Sequence, residues 1–256
     1  MLNKKYAEIT LDGAGICLFN GSYQGLFTRK INTCVVLTVR FHDRFLFIHD
    51  TAQLNTTSLT ELSKSCGDAL ELGVFFGENA LKNEHESRVV NFANSIGIEG
   101  KDIINIPSGM NEFNLCLDKD GGFLFSEVNE TPQGLDVNPR LEIIEDIIKF
   151  NNFFIPPNSQ SINVDVQFNG ENYLNNTQPI HSIESVLKSI ENQPDFFDLN
   201  IIVFAPMVRR SLITTPRWIS DYIDSIVAAD GFLKNTGKTQ RNRYQDFISL
   251  IRKNSV

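Results

Sequence analysis

Two β-rich runs separated by a short polar turn constrain the fold of this chain more than any other segment. The runs cover residues 34–41 and 44–49 and flank the turn at His42-Asp43. If the chain reverses there, residues whose numbers sum to 85 lie opposite each other, so Val36 faces His49. One face of this hairpin then carries an apolar set that requires a core: Val35, Leu37, Val39, Phe41, Leu46 and Ile48.

The other face of the hairpin carries side chains suited to chemistry. Cys34 and His49 share it as diagonal neighbours, whose Cα atoms lie roughly 7–8 Å apart. An imidazole within hydrogen-bond reach activates a thiol to attack an acyl carbon, and the imidazolium then protonates the leaving amine. Thr28, in the preceding loop, is placed to orient the imidazole through its hydroxyl. The backbone N–H groups around Thr33 and Cys34 are the expected oxyanion donors.

Other interpretations of the reactive side chains stay open. A buried cysteine is commonly inert, and a one-residue slip in the turn would place Cys34 and His49 on opposite faces. Cys17, on a short strand, is the second-choice nucleophile, whereas Cys66 lies in a helical pattern and is expected in a core. The Glu84-His85-Glu86 run is expected to be an exposed helix start, because adjacent helical residues diverge and cannot converge on one metal ion. We expect neither a metal nor a cofactor.

Strand-like and helix-like periods alternate along the first half of the chain. They predict an α/β protein: a mixed β-sheet sandwich with helices packed on it, plus a mainly helical C-terminal region. Short strands at 6–11 and 15–19 flank the turn signal at Asp12-Gly13. The other expected elements are helices at 58–72 and 84–96, strands at 72–76 and 103–106, a hairpin of 112–117 with 123–128, and a loop at 129–139.

The domain prediction divides the chain near residue 150. Residues 1–150 are expected to form the sandwich domain with the Cys/His hairpin, and residues 160–256 an α/β region that is a candidate substrate-recognition subdomain. A polar stretch rich in Asn and Pro at 151–160 marks the boundary. The sequence is compatible with a separate second domain and with a segment that completes the first sheet. The elements expected there are helices at 141–150, 180–191, 216–229 and 240–253, and strands at 162–168 and 199–205.

Composition narrows the class of protein. The net charge of −8 disfavours a nucleic-acid binder, which needs clustered Lys and Arg. No stretch approaches the roughly 20 apolar residues of a membrane-spanning helix, and the N-terminal segment has no apolar signal-peptide core. Four cysteines without CxxC spacing suit a reducing compartment.

The expected location is cytoplasmic, or a host cytosol reached by a signal-peptide-independent secretion system. The expected partner is a protein substrate, with no nucleic acid and no membrane.

The order and spacing of three residues resembles a known family. Thr28 lies six residues before Cys34, and His49 follows fifteen residues later on the next predicted strand. This arrangement is similar to the bacterial Cys/His glutamine deamidases, such as the chemotaxis deamidase CheD, the catalytic domain of cytotoxic necrotising factor and Burkholderia lethal factor. Several members have a glycine close before the nucleophile, where this chain has Ile31-Asn32-Thr33. The resemblance implies an α/β sandwich in which Cys34 attacks a glutamine carboxamide, ammonia leaves and water releases glutamate.

The leading hypothesis is therefore a Cys/His amidohydrolase that deamidates a glutamine of a target protein through a thioester, as a bacterial effector or toxin would. The first rival is a non-catalytic interaction module, an adaptor or immunity-type partner, with Cys34 buried and an exposed apolar patch elsewhere. The second rival uses the same Cys/His pair as a thiol protease or transglutaminase, because all three reactions pass through an acyl-thioester and pocket shape selects among them.

Overall fold

The alternating apolar pattern of the first half builds two stacked β-sheets with two helices on one side. A computed structural model describes residues 5–80, 82–139 and 162–174, and all of them belong to the first of the two units into which the chain divides. The elements follow in chain order: β1 (Tyr6–Glu8), β2 (Gly13–Leu18), β3 (Gly25–Ile31), β4 (Val35–Arg40), β5 (Arg44–Asp50), α1 (Thr56–Ser65), β6 (Glu71–Phe76), α2 (Lys82–Ser95), β7 (Ile103–Pro107), β8 (Phe113–Asp118), β9 (Phe123–Ser126), β10 (Leu135–Asp136) and β11 (Asp165–Phe168), with a 3₁₀ turn at Gly100–Asp102.

Within the described residues, the strands form a five-stranded and a six-stranded sheet. The five-stranded sheet has the order β10-β1-β3-β8-β9, and the six-stranded sheet has the order β11-β2-β5-β4-β6-β7. Both sheets mix parallel and antiparallel pairs: β1 is parallel to β3, for example, whereas β3 is antiparallel to β8. The mixed α/β character of this part of the chain is therefore confirmed.

Two apolar clusters hold three layers together. Between the sheets, residues of the five-stranded sheet such as Leu26 and Leu115 pack on Val36, Phe47 and other residues of the six-stranded sheet. On the opposite face of the six-stranded sheet lies the second cluster, in which strand residues meet both helices: Leu37, Val39, Leu46, Ile48, Val74, Leu59, Val89, Phe92 and Ala93. The apolar set predicted for one face of the β4–β5 hairpin is thus the face that the helices cover.

Three local predictions differ from the structure. The strand predicted at 6–11 ends at Glu8, and β1 and β2, on either side of Asp12-Gly13, belong to different sheets. The first helix ends at Ser65 rather than near residue 72, because Gly67 adopts a φ of +119° and turns the chain. Residues 25–31 form strand β3, although Thr28 was expected in a loop.

The C-terminal predictions fall mostly outside the described residues. Strand β11 runs parallel to β2, so this piece of the chain adds a strand to the six-stranded sheet. The predicted elements at 141–150, 180–191, 199–205, 216–229 and 240–253 and the boundary at 151–160 lie outside the described part. In that part, no helix combines the length and apolar character needed to cross a membrane.

Candidate active site

The β4–β5 hairpin has the predicted register. Val36 lies opposite His49 and Val35 opposite Asp50, and the turn closes with a 2.9 Å hydrogen bond from the Phe41 N–H to the Arg44 carbonyl. Cys34 immediately precedes β4. Because side chains alternate along a strand, His49 faces the core between the two sheets, where Cys34 also packs. The structure therefore places Cys34 and His49 on one face of the six-stranded sheet.

Thr28 reaches this face from the opposite sheet. It lies in strand β3, paired with Leu115 of β8, and its Oγ1 is 2.8 Å from the Nδ1 of His49. The placement of Thr28 in a loop was wrong, although its hydroxyl does contact the imidazole. The hydrogen bond crosses from one sheet to the other, so the stacking of the sheets, rather than the local chain, sets its length.

The second ring nitrogen of His49 is without a hydrogen bond. Both His49 and Thr28 are fully buried, and the Nε2 of His49 has no hydrogen-bond partner among the described residues. Burial lowers the pKa of His49 to about 3, so the imidazole is neutral at physiological pH. When Nδ1 donates its hydrogen to the Thr28 hydroxyl, Nε2 carries a lone pair that can accept a proton.

Cys34 is mostly buried and is a neutral thiol at rest. Its exposed fraction is 8%, and burial raises its pKa to about 12, with the carboxylate of Asp12 acting in the same direction. The side chain of Thr33 and the backbone of Asn32 lower the pKa of Cys34, but by less than burial raises it. The resting site therefore holds a thiol and a neutral imidazole rather than an ion pair.

Backbone strain concentrates around these residues. Among the described residues, the non-glycine residues with positive φ are Asp12 (+52°), Lys30 (+60°) and Ala52 (+71°). Lys30 lies in a bulge of β3 just after Thr28, Ala52 follows His49 by three residues, and the amide of Asp12 donates to the His49 carbonyl at 2.8 Å. Such conformations cost about 1–3 kcal/mol each and occur preferentially at functional sites, which favours a functional role for this region.

A charged cluster lies on the helix-facing side of the same strand end. The NH2 group of Arg88, on α2, donates to both carboxylate oxygens of Asp50, at 3.0 and 2.9 Å. The Nε2 of His85 donates to the Thr33 carbonyl at 3.3 Å. His85 is buried, so its predicted place at an exposed helix start was wrong. Sequence reasoning missed this cluster, although the i, i+3 spacing of His85 and Arg88 on one helix face is a usable signal.

Asp12 adds a second buried carboxylate near the site. It accepts hydrogen bonds from the backbone N–H of Thr51 at 3.1 Å and from the Thr51 hydroxyl at 2.7 Å. The pKa of Asp12 is raised to about 7, mainly by burial and to a smaller extent by the charge of Asp50, although the Thr51 contacts act in the opposite direction. Asp12 is thus close to half-protonated at neutral pH.

The remaining cysteines do not join the site. All four cysteines lie in the described residues, and no disulfide links them. Cys17, the second-choice nucleophile, is fully buried in β2, and burial raises its pKa to about 12. Cys66 caps the end of α1 and is half-buried against the helix-side core, as expected. Among the described residues, no group of three His, Cys, Asp or Glu side chains is arranged to hold a metal ion.

Comparison with known proteins adds no family assignment. No protein-family model matches this chain, and no curated protein sequence matches it.

Proposed function

We propose that this protein is a Cys34/His49 amidohydrolase that deamidates a glutamine side chain of a target protein. The observation that carries the proposal is the hydrogen bond between Nδ1 of His49 and the Thr28 hydroxyl. Nε2 has no hydrogen-bond partner among the described residues, and His49 lies on the face where Cys34 packs. Orientation of an imidazole by a third group is the arrangement that lets one ring nitrogen act as a general base.

The reaction follows from the neutral state of both groups. Because burial keeps both groups neutral at rest, the proton moves from Cys34 to Nε2 in the same step in which sulfur attacks the carboxamide carbon. The imidazolium returns that proton to the departing nitrogen, so ammonia leaves and an acyl-thioester remains. Water, deprotonated by the same nitrogen, then releases glutamate and the thiol. Thr33, which directly precedes Cys34, is exposed and Asn32 is half-buried, so we infer that substrate approaches from this side.

The choice of glutamine as the substrate rests on the order and spacing of Thr28, Cys34 and His49, which resemble those of the glutamine deamidases. A thiol protease or transglutaminase uses the same thioester and differs in the scissile bond and in the acceptor. Measuring ammonia release from a blocked glutamine dipeptide and from casein, with intact-mass analysis of the casein, separates the three. A deamidase releases ammonia and converts amide to acid, a transglutaminase releases ammonia only when an amine is supplied, and a protease shortens the chain.

A covalent probe tests the nucleophile without knowledge of the target. A halomethyl-ketone analogue of the blocked glutamine dipeptide should alkylate Cys34, and the rate should fall about a hundredfold in His49→Asn, which keeps the contact toward Thr28 but loses Nε2. Cys66→Ser is the matched control and should react as the wild type does. Equal alkylation rates in the wild type and His49→Asn would contradict the general-base role of His49.

A second candidate is a non-catalytic interaction module. It is favoured by the burial of Cys34 and by Phe123 and Leu124, which are 47% and 65% exposed on β9, an edge strand of its sheet within the described residues. Both residues also line a cavity of about 930 Å³ beside Tyr6 and Phe27. For this candidate, Leu124→Asp should reduce self-association or partner binding in sedimentation velocity, whereas Leu70→Asp, at another exposed leucine, should not.

A further inference from the structure

We propose that His85 and Arg88 of helix α2 are positioning residues, which hold the segment of Cys34 and the segment of His49 in one fixed relation. This inference rests on the proposed function, because it assigns a role in the same reaction. Neither side chain needs to touch the substrate. Each binds a chain segment that carries one member of the Cys/His pair.

His85 fixes the segment before the nucleophile. Its side chain is 3% exposed, and its Nε2 donates to the Thr33 carbonyl, one residue before Cys34. Since a carbonyl oxygen only accepts, Nε2 carries a hydrogen in this contact. The other ring nitrogen, Nδ1, lies 3.9 Å from Oδ2 of Asp50. His85 thus lies between the Cys34 segment and the end of β5.

Arg88 fixes the segment of the base. It binds both carboxylate oxygens of Asp50, which directly follows His49 and pairs across the hairpin with Val35. Asp50 also accepts a 3.0 Å hydrogen bond from the Ala52 amide. The carboxylate is therefore held from the helix on one side and from its own turn on the other, which leaves the backbone of His49 little freedom.

Helix α2 connects the two contacts rigidly. Residues three apart lie on the same helix face, so the side chains of His85 and Arg88 both face the sheet. The next turns of the same helix contact the sheet through apolar side chains, Val89, Phe92 and Ala93. The polar contacts therefore occur at one end of the interface, beside Cys34 and His49, where apolar packing alone would not specify positions within hydrogen-bond tolerance.

Precise placement has a kinetic consequence. A displacement of the nucleophile relative to its base by about 1 Å can reduce the rate about a hundredfold without preventing substrate binding. The contacts of His85 and Arg88 should accordingly affect kcat and leave KM nearly unchanged. A purely structural role would instead lower the amount of folded enzyme and change neither constant per folded molecule.

The experiment compares two substitutions of His85 in the full chain. His85→Gln places an amide N–H near the position of Nε2 and should retain most of kcat, whereas His85→Leu removes the donor. We expect kcat for ammonia release from the blocked glutamine dipeptide to fall about 10- to 100-fold in His85→Leu, with KM within about twofold. Arg88→Lys, which keeps the charge but loses the planar guanidinium, should show a similar split. Glu86→Gln, on the exposed face of the same helix, is the control.

A second readout separates this inference from the proposed function. The ¹⁵N chemical shifts of the His49 imidazole report its hydrogen bond to Thr28 in the absence of substrate, and they should change in His85→Leu and Arg88→Lys but not in His85→Gln. Wild-type protein that releases no ammonia but shows these shift changes contradicts the proposed function and supports the positioning. Unchanged shifts together with unchanged kcat in folded His85→Leu would overturn the positioning role, as would equal losses in His85→Leu and His85→Gln.

Discussion

His49 and Asp50 are neighbours on β5, but their side chains lie on opposite faces of the strand and have different hydrogen-bond partners. His49 faces the five-stranded sheet, is neutral, and makes one side-chain hydrogen bond, to Thr28, while Nε2 has no partner among the described residues. Asp50 faces α2 and has both carboxylate oxygens engaged by Arg88. Both side chains are almost fully buried.

This contrast separates a group that supports the fold from a group that is available for chemistry. A buried carboxylate is tolerated only when it is paired and hydrogen-bonded, so the carboxylate of Asp50, bound by Arg88 and by the Ala52 amide, has little capacity left to bind a substrate. A buried imidazole in its neutral form carries no charge, so an unused ring nitrogen costs less and remains able to take a proton. Four substitutions test the contrast, with effects that range from several kcal/mol to about 0.5 kcal/mol.

The largest effect should come from the ion pair. Arg88→Met leaves the buried carboxylate of Asp50 without its cation, which is expected to lower the free energy of unfolding by about 3–5 kcal/mol. Urea denaturation measures this loss. Lys101→Met is the control, since Lys101 pairs with Glu99 at the surface and both side chains are 72% exposed. Equal losses in the two variants would show that Arg88 contributes no more than a surface cation.

Asp12 and His49 should give opposite pH dependences. The pKa of Asp12 is raised from 3.8 to about 7, so its stabilising contribution is complete below 3.8 and is lost as the pH rises through 7. The pKa of His49 is lowered from 6.5 to about 3, so its contribution is complete above 6.5 and is lost as the pH falls through 3. Between these limits the two slopes offset each other.

Asp12→Asn removes one of these slopes and keeps the residue's shape and its positive φ. On acidification from about pH 6.5 to 4.5, the variant should lose about 1.4 kcal/mol of unfolding free energy per pH unit relative to wild type. Urea denaturation at several pH values measures the difference. Parallel curves for the two proteins would mean that the pKa of Asp12 is not raised in the folded state.

Thr28→Val should have an intermediate effect. The substitution preserves shape but leaves Nδ1 of His49 buried without its partner, which is expected to lower the free energy of unfolding by about 1–3 kcal/mol. Thr28→Ser keeps a hydroxyl and should recover part of the loss. Thr38→Val, at a half-buried position of β4, is the matched control and should change stability little. A Thr28→Val variant as stable as the wild type would imply that the Thr28–His49 hydrogen bond contributes nothing to the free energy of unfolding.

The smallest effect should come from backbone strain. Ala52 holds a φ of +71°, which costs an L-residue about 1–2 kcal/mol, whereas glycine adopts it freely and loses about 0.5–1 kcal/mol in entropy. Ala52→Gly should therefore stabilise the protein by about 0.5 kcal/mol and raise Tm slightly. Ala7→Gly, at a buried position in β1, should lower Tm. A lower Tm in both variants would argue against strain at Ala52.

Much of the sheet could be predicted because its signals are local. The strand spacing around His42-Asp43 predicted the register of Val36 and His49, and the turn at 118–122 predicted the β8–β9 hairpin. Strand β3 was missed because its two sides are both buried near Thr28, so it shows no alternation, and because the bulge at Lys30 interrupts its period.

The sequence by itself predicted that Cys34 and His49 share a face, because a period of two with the turn at His42-Asp43 puts them there, and the register of the hairpin agrees. Only the tertiary structure decided that Thr28 meets His49 across two sheets, that His85 is buried, and that both Cys34 and His49 are neutral. These properties depend on which surfaces lose contact with water when distant segments pack. No local pattern encodes that loss, because burial is a property of the whole fold.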